Sequence, residues 1–332
     1  MAPRGIRCRS GAGRWSRQHV TAVSRGCGMK VREGLVESEG HRLAFLAVNE
    51  HLARADEPAV VFIHGVLASV NCWRDWVPPS YREGRAWYAL SLPAHHPSTV
   101  PADFHASQVD APWFFRVMSG ALQALVADRP VIVVGHSTGG FCALDLAIHQ
   151  APNLIGVVSV AGFHVGKWGS VEGHLLWLAG LGRWAKYPFV ANILFARHSP
   201  FVQRQFASLL AHDRKAYLAN PLGRRFLDNI GPNTRAQDPA ALFELFNGIS
   251  RLEIGPDLGR IAIPCHVLVG SHDAVVPASQ SRVIADGVPG AKVVEFPDVG
   301  HLPFIESADA CARALESAID DLSRRHVRSM RA

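Results

Sequence analysis

A chain of 332 residues that is 48% hydrophobic and 19% charged carries enough apolar material for one large core, which excludes a chain disordered throughout. Its formal charge of +6 belongs to the ends: Arg4, Arg7, Arg9, Arg14, Arg17 and Arg25 stand before Met29 without an acidic residue, and without residues 1–28 the charge falls from +6 to 0. The folded body therefore presents no basic surface for nucleic acid, and no run reaches the ~18 apolar residues of an integral membrane segment.

Residues 1–28 lack the apolar stretch of a secretory signal and read as a disordered extension or a start mis-assigned ahead of Met29, with organelle targeting as the alternative. Arg324, Arg325, Arg328 and Arg331 read as a basic tail over 324–332. The six cysteines show no metal-binding or paired spacing; Cys142 and Cys265 lie inside apolar runs, so free thiols and a cytoplasmic setting are expected.

In chain order, Leu35 to Ser38 and Arg42 to Asn49 predict two strands joined by a tight turn, an antiparallel start to a sheet. Pro58 introduces the buried strand Ala59 to Ile63, which ends in His64-Gly65-Val66, and Ala86 to Leu92 is the next strand, ending in Pro93-Ala94-His95-His96-Pro97-Ser98. Pro112 to Asp128 predicts an amphipathic helix, which delivers the chain to VIVVGHSTGG at Val131 to Gly140. Four apolar residues, an abrupt Gly135-His136-Ser137-Thr138-Gly139, then helical spacing from Phe141 to Gln150: strand, turn and helix put Ser137 at the apex of a nucleophile elbow.

Ile155 to Val160 is one more strand, after which the alternation stops. Residues 163–250 carry helical patterns around Leu175 to Trp184, Val190 to Ala196, Phe201 to Leu210 and Ala240 to Phe246, and read as an inserted helical cap. Alternation resumes with Cys265 to Gly270, a helix from Ala278, the strand Lys292 to Phe296 and a helix from Ser307 to Leu322. The expected fold is α/β, a mostly parallel doubly wound sheet of about eight strands, with residues 29–162 and 251–323 as core.

Two further polar residues follow predicted strands, where open α/β sheets place their ligands: Asp273 in Gly270-Ser271-His272-Asp273, and His301 in Asp298-Val299-Gly300-His301. Asp298 is the competing acid, too close in sequence to His301 to reach it easily. His64 and His136 are the rival bases, and Asp145 on the elbow helix is expected to be solvated.

With Ser137, Asp273 and His301 in that order, the sequence resembles the α/β-hydrolase fold superfamily over residues 35–322. His64-Gly65 is similar to its oxyanion-loop motif and Gly300-His301 to its terminal histidine motif, whereas Ala94 and His96 stand where the family usually has glycines. The resemblance implies that Ser137, Asp273 and His301 form a triad, that the backbone N–H groups of Val66 and Thr138 form the oxyanion hole, and that neither cofactor nor metal is needed. It leaves esters or thioesters of a small, largely apolar acid as the first expectation. C–C bond hydrolysis, acyl transfer, perhydrolysis and lyase chemistry are alternatives on the same triad, and a slowly turning over ligand-binding or signalling protein is an alternative of another class. An apolar pocket with His64, His136 and, from the cap, Trp168 and Trp177 among its residues is expected. The oligomeric state is open.

Overall fold

In a computed structural model of the chain, residues 21–26 and 29–331 are described. Nine strands make one sheet: β1 (Thr21–Gly26), β2 (Met29–Ser38), β3 (His41–Val48), β4 (Ala59–Ile63), β5 (Trp87–Leu90), β6 (Val131–His136), β7 (Leu154–Val160), β8 (Cys265–Gly270) and β9 (Lys292–Phe296), in the spatial order β1-β2-β3-β5-β4-β6-β7-β8-β9. The first three pair antiparallel and β3 meets β5 antiparallel; every other pairing is parallel. The β-branched runs of β4 and β6 occupy the centre and are buried along their whole length, as strands covered on both faces must be.

The sheet is one strand larger than expected, because Thr21–Gly26, assigned to the extension, pairs with β2; the rest of that extension, apart from these six residues, lies outside the described residues. β2 begins at Met29, six residues before the predicted start, because residues 29–34 pair with the end of β3 and with β1.

Helices α1 (Trp73–Trp76), α2 (Pro79–Gly84), α3 (Ala111–Val126) and α4 (Thr138–Ile148) fall between the strands of the first half. Asp110 caps α3 by accepting from Trp113 N at 2.8 Å, and Pro112 sits in its first turn, where a missing N–H costs nothing. Between β7 and β8 comes a helical insert: α5 (Ser170–Gly180), α6 (Lys186–Arg197), α7 (Pro200–Ser208), α8 (Arg214–Ala219), α9 (Pro221–Arg235) and α10 (Pro239–Ile249). Two of these, α8 and α9, were not predicted. α9 carries Pro232 inside its last turns, with Phe226 and Ile230 packed inward on the same helix.

The closing elements are α11 (Ala278–Gly287), α12 (Pro303–Glu306) and α13 (Ala308–Arg331). α13 runs nine residues past the predicted end at Leu322, through most of the segment taken as a basic tail: Leu315, Ala318, Ile319 and Leu322 lie on the core, and the basic residues continue the same helix outward. Cys72, Cys142, Cys265 and Cys311 are buried free thiols, which burial holds above their ordinary pKa. No helix among the described residues is long and apolar enough to cross a membrane.

Candidate active site

The centre of the site is the turn between β6 and α4. Ser137 takes φ 54°, ψ −116°, a backbone state costly for a residue with a Cβ, and it is held there from both sides. Its N–H donates to Val160 O at 2.9 Å and its C=O accepts from Phe141 N at 3.0 Å. The flanking glycines are required by contact: a Cβ on Gly135 would lie 1.9 Å from Gly139 O, and one on Gly139 would lie 2.2 Å from Ile63 O. Ser137 Oγ is buried with no partner and faces a cavity of about 300 Å³ between sheet and insert.

His301 and Asp273 reach the same place from the loops after β9 and β8. His301 Nδ1 donates to Asp273 Oδ2 at 2.7 Å, with both side chains shielded from solvent, while Asp273 Oδ1 accepts from Val275 N at 2.8 Å and Val276 N at 2.9 Å. The carboxylate is thereby fixed on both oxygens. Burial opposes a charge on His301, but the Asp273 carboxylate, by its charge and its hydrogen bond, outweighs it with help from Glu172, and the imidazole stays above its ordinary pKa. His301 Nε2 is buried, unpartnered and in the same cavity as Ser137 Oγ. Asp298, the competing acid, is exposed and sits by His272.

The loop after β4 forms another wall. Gly65 and Val66 line the cavity, and a Cβ on Gly65 would stand 2.9 Å from Ser137 Cβ, so loop and elbow touch. Two neutral imidazoles brace it from behind. His64 Nδ1 donates to Gly65 O at 2.7 Å while its Nε2 accepts from Leu92 N at 3.3 Å; His95 Nδ1 donates to Pro93 O at 2.9 Å while its Nε2 accepts from Leu67 N at 3.1 Å. Burial pushes both rings below their ordinary pKa, His95 to about 4. Ala94, at the family's glycine position, takes φ 60°, so the departure in sequence leaves the turn in place. Thr138 is the first residue of α4, where an N–H has no intrahelical acceptor.

Three of the four expected pocket residues lie elsewhere. His64 is fully buried behind the loop; Trp168 packs edge-on against Phe163 with centroids 4.9 Å apart; Trp177 is 59% exposed on the outer face of α5. His136 does line the cavity, with Nε2 donating to His301 O at 2.9 Å, and burial pushes it down to about 3, so it packs as a neutral ring. Trp184, Phe195 and Phe201 of the insert also point outward, whereas Phe206 and Phe226 face the cavity. Aromatic spacing within short helices does not say which face turns inward.

Sequence reasoning misses Glu172 and Gln237, and it places Arg197 on a solvated helix face. Each lines the cavity and has a buried atom without a partner: Glu172 Oε2, Arg197 Nε and Gln237 Oε1. It also missed the stack of Trp76 between Phe226 (4.7 Å) and Phe304 (4.5 Å), which closes one side. Asp145, expected in solvent, is fully buried on α4. Burial pushes its carboxyl up to about 6, against the pull of His149, whose Nδ1 lies 3.1 Å from Oδ1. Among the described residues, ligand atoms of His212, His272 and Asp298 come within 4.8 Å of one another, but all three are exposed and stand outside the cavity.

A mostly parallel sheet with polar groups converging past the ends of β4, β6, β8 and β9 on an apolar cavity defines an α/β enzyme of the doubly wound class. The chain belongs to the alpha/beta hydrolase fold family: residues 58–308 match its sequence pattern. It is 24% identical over 257 residues to RutD of Shigella flexneri, provisionally named a carbamate hydrolase, with 74% of this chain and 85% of that protein covered. Among solved structures, the Cif epoxide hydrolase from Acinetobacter nosocomialis superposes with a TM-score of 0.69 at 17% identity, covering 89% of this chain and 90% of that one. Carboxylesterase CesB from Bacillus subtilis superposes with a TM-score of 0.65 at 17% identity, covering 87% and 91%. At these identities the structures speak for the fold.

Proposed function

We propose that the chain is a serine hydrolase that cleaves an ester or thioester of a small, largely apolar acid through an acyl-enzyme. The observation that carries this reading is the Asp273–His301 pair, whose free Nε2 opens into the same cavity as the unpartnered Ser137 Oγ. Ser137 Oγ attacks the carbonyl carbon and passes its proton to His301 Nε2; Asp273 holds the tautomer and stabilises the imidazolium. The oxyanion is met by the N–H groups of Val66 and Thr138, each worth ~100- to 1000-fold in rate. Collapse breaks the bond to the leaving group, which takes the proton from His301, and a water activated by the neutral imidazole releases the acid. An epoxide hydrolase of this fold would require a carboxylate at the elbow, where this chain has Ser137.

Intact-mass spectrometry after treatment with a fluorophosphonate tests the reading. One adduct is expected on the wild type and none on Ser137→Ala, which should retain its circular dichroism and lose ester turnover by at least ~10⁴-fold. Turnover that survives in the alanine variant sinks the assignment.

A further inference from the structure

One acid in the cavity takes no step in that chemistry, although its charge adds to that of Asp273 on His301. Glu172 stands in the first turn of α5, only 6% exposed, and its Oε2 is buried without a partner. A buried polar atom left unpaired is costly, so a carboxyl kept in that state inside a binding cavity points to a ligand atom as its partner. Apolar Val171, Leu175 and Phe206 line the cavity with it.

The position of α5 says which part of a substrate it meets. Gly169 N donates to Val275 O at 2.7 Å, and a Cβ on Gly169 would lie 2.3 Å from Ala274 O, so the helix start is pinned to the loop that carries Asp273. Ser170 Oγ donates to Leu209 O at 2.9 Å, next to Leu210, whose O accepts from His301 N. Glu172 thus belongs to the Asp273–His301 wall. In acyl transfer the leaving group lies on that side, because it takes its proton from the histidine, while the acyl oxygen turns to the Val66 loop.

We propose that Glu172 is the recognition group for the leaving alcohol, and that the preferred substrates are apolar acyl esters whose alcohol part keeps a free hydroxyl. This rests on Ser137 being the nucleophile. Burial pushes the Glu172 carboxyl up to about 7, with the charge of His301 opposing and that of Asp273 adding. Both protonation states are therefore present near neutrality, and both offer an oxygen that accepts from an O–H. A plain alkyl leaving group would leave that oxygen unpaired, which is the physical basis of discrimination by hydrogen bonding.

The test compares kcat/KM for two isosteric esters of one short acid, the 2-hydroxyethyl and the propyl ester, on wild type, Glu172→Gln and Glu172→Leu. The wild type should favour the hydroxyethyl ester by roughly 10- to 100-fold, Glu172→Gln should keep part of that preference, and Glu172→Leu should lose it. Fluorophosphonate labelling of each variant reports whether Ser137 is still assembled. Labelled enzymes with the same ester ratio in wild type and Glu172→Leu overturn the leaving-group site alone, as does a wild type without preference. Wild type that does not label overturns the nucleophile and this site with it. Loss of labelling confined to Glu172→Leu leaves Glu172→Gln and the wild-type ratio to decide.

Discussion

Asp145 shows what burial does to a single charge. Its folded pKa of about 6 lies above the ordinary aspartate value, so its contribution to stability is fully present at pH below that ordinary value and is lost as pH rises through 6. Above pH 7 the buried carboxylate is a net cost that the neighbouring His149, whose Nδ1 lies 3.1 Å from Oδ1, only partly offsets. Asp145→Asn should therefore stabilise the protein by roughly 1–3 kcal/mol at pH 8 and by less at pH 5, read from urea unfolding at both values. A destabilised variant at pH 8 would mean that the carboxylate is held by polar groups other than His149. Nothing local in the sequence separates Asp145 from a solvated helix residue: its burial is decided by what packs on α4.

At the scale of elements, the elbow is the part most tightly specified by local chemistry. Gly139 faces the backbone oxygen of Ile63 on β4, so a methyl group there has to push helix and strand apart. Gly139→Ala should cost about 2–4 kcal/mol in urea unfolding and distort the setting of Ser137; a melting temperature within about 1 °C of wild type would show that α4 can step back. Strands and elbow were legible because β-branched runs ending in Gly or Pro have few other solutions in a parallel sheet. The insert was less so. Its helices are short, Pro232 mimics a terminator, and the outward positions of Trp177, Trp184 and Phe195 follow from helix rotation, which only the neighbours set.

Over the whole molecule, buried neutral histidines set the response to acid. Burial first of all pushes His41 and His95 down to about 4 and His136 to about 3, and holds His64 well below its ordinary value. Folded pKa values below the unfolded ones mean that the unfolded chain binds more protons, so this stability is present above ~6.5 and is lost as pH falls toward the folded values. His95 and His136 alone should each withdraw about 2 kcal/mol by pH 5, a large share of a typical ~5–15 kcal/mol, although Asp145, Glu172 and His301, with raised values, work the other way. The urea midpoint should therefore fall clearly between pH 7 and pH 5. An unchanged midpoint would show that these rings are solvated or charged in the native state.

What the sequence determined by itself was the order of the alternating strands and helices, the strained serine turn, and the acid and histidine past later strands, because each is written in a short run of residues whose chemistry permits one local structure. The tertiary structure alone decided that Thr21–Gly26 adds a ninth strand, that the basic end continues α13, and which side chains face the cavity. Those outcomes depend on pairing partners and helix rotation. The same holds for Glu172, since a glutamate in the first turn of a helix is ordinary until the loops of Asp273 and His301 close over it and remove the water.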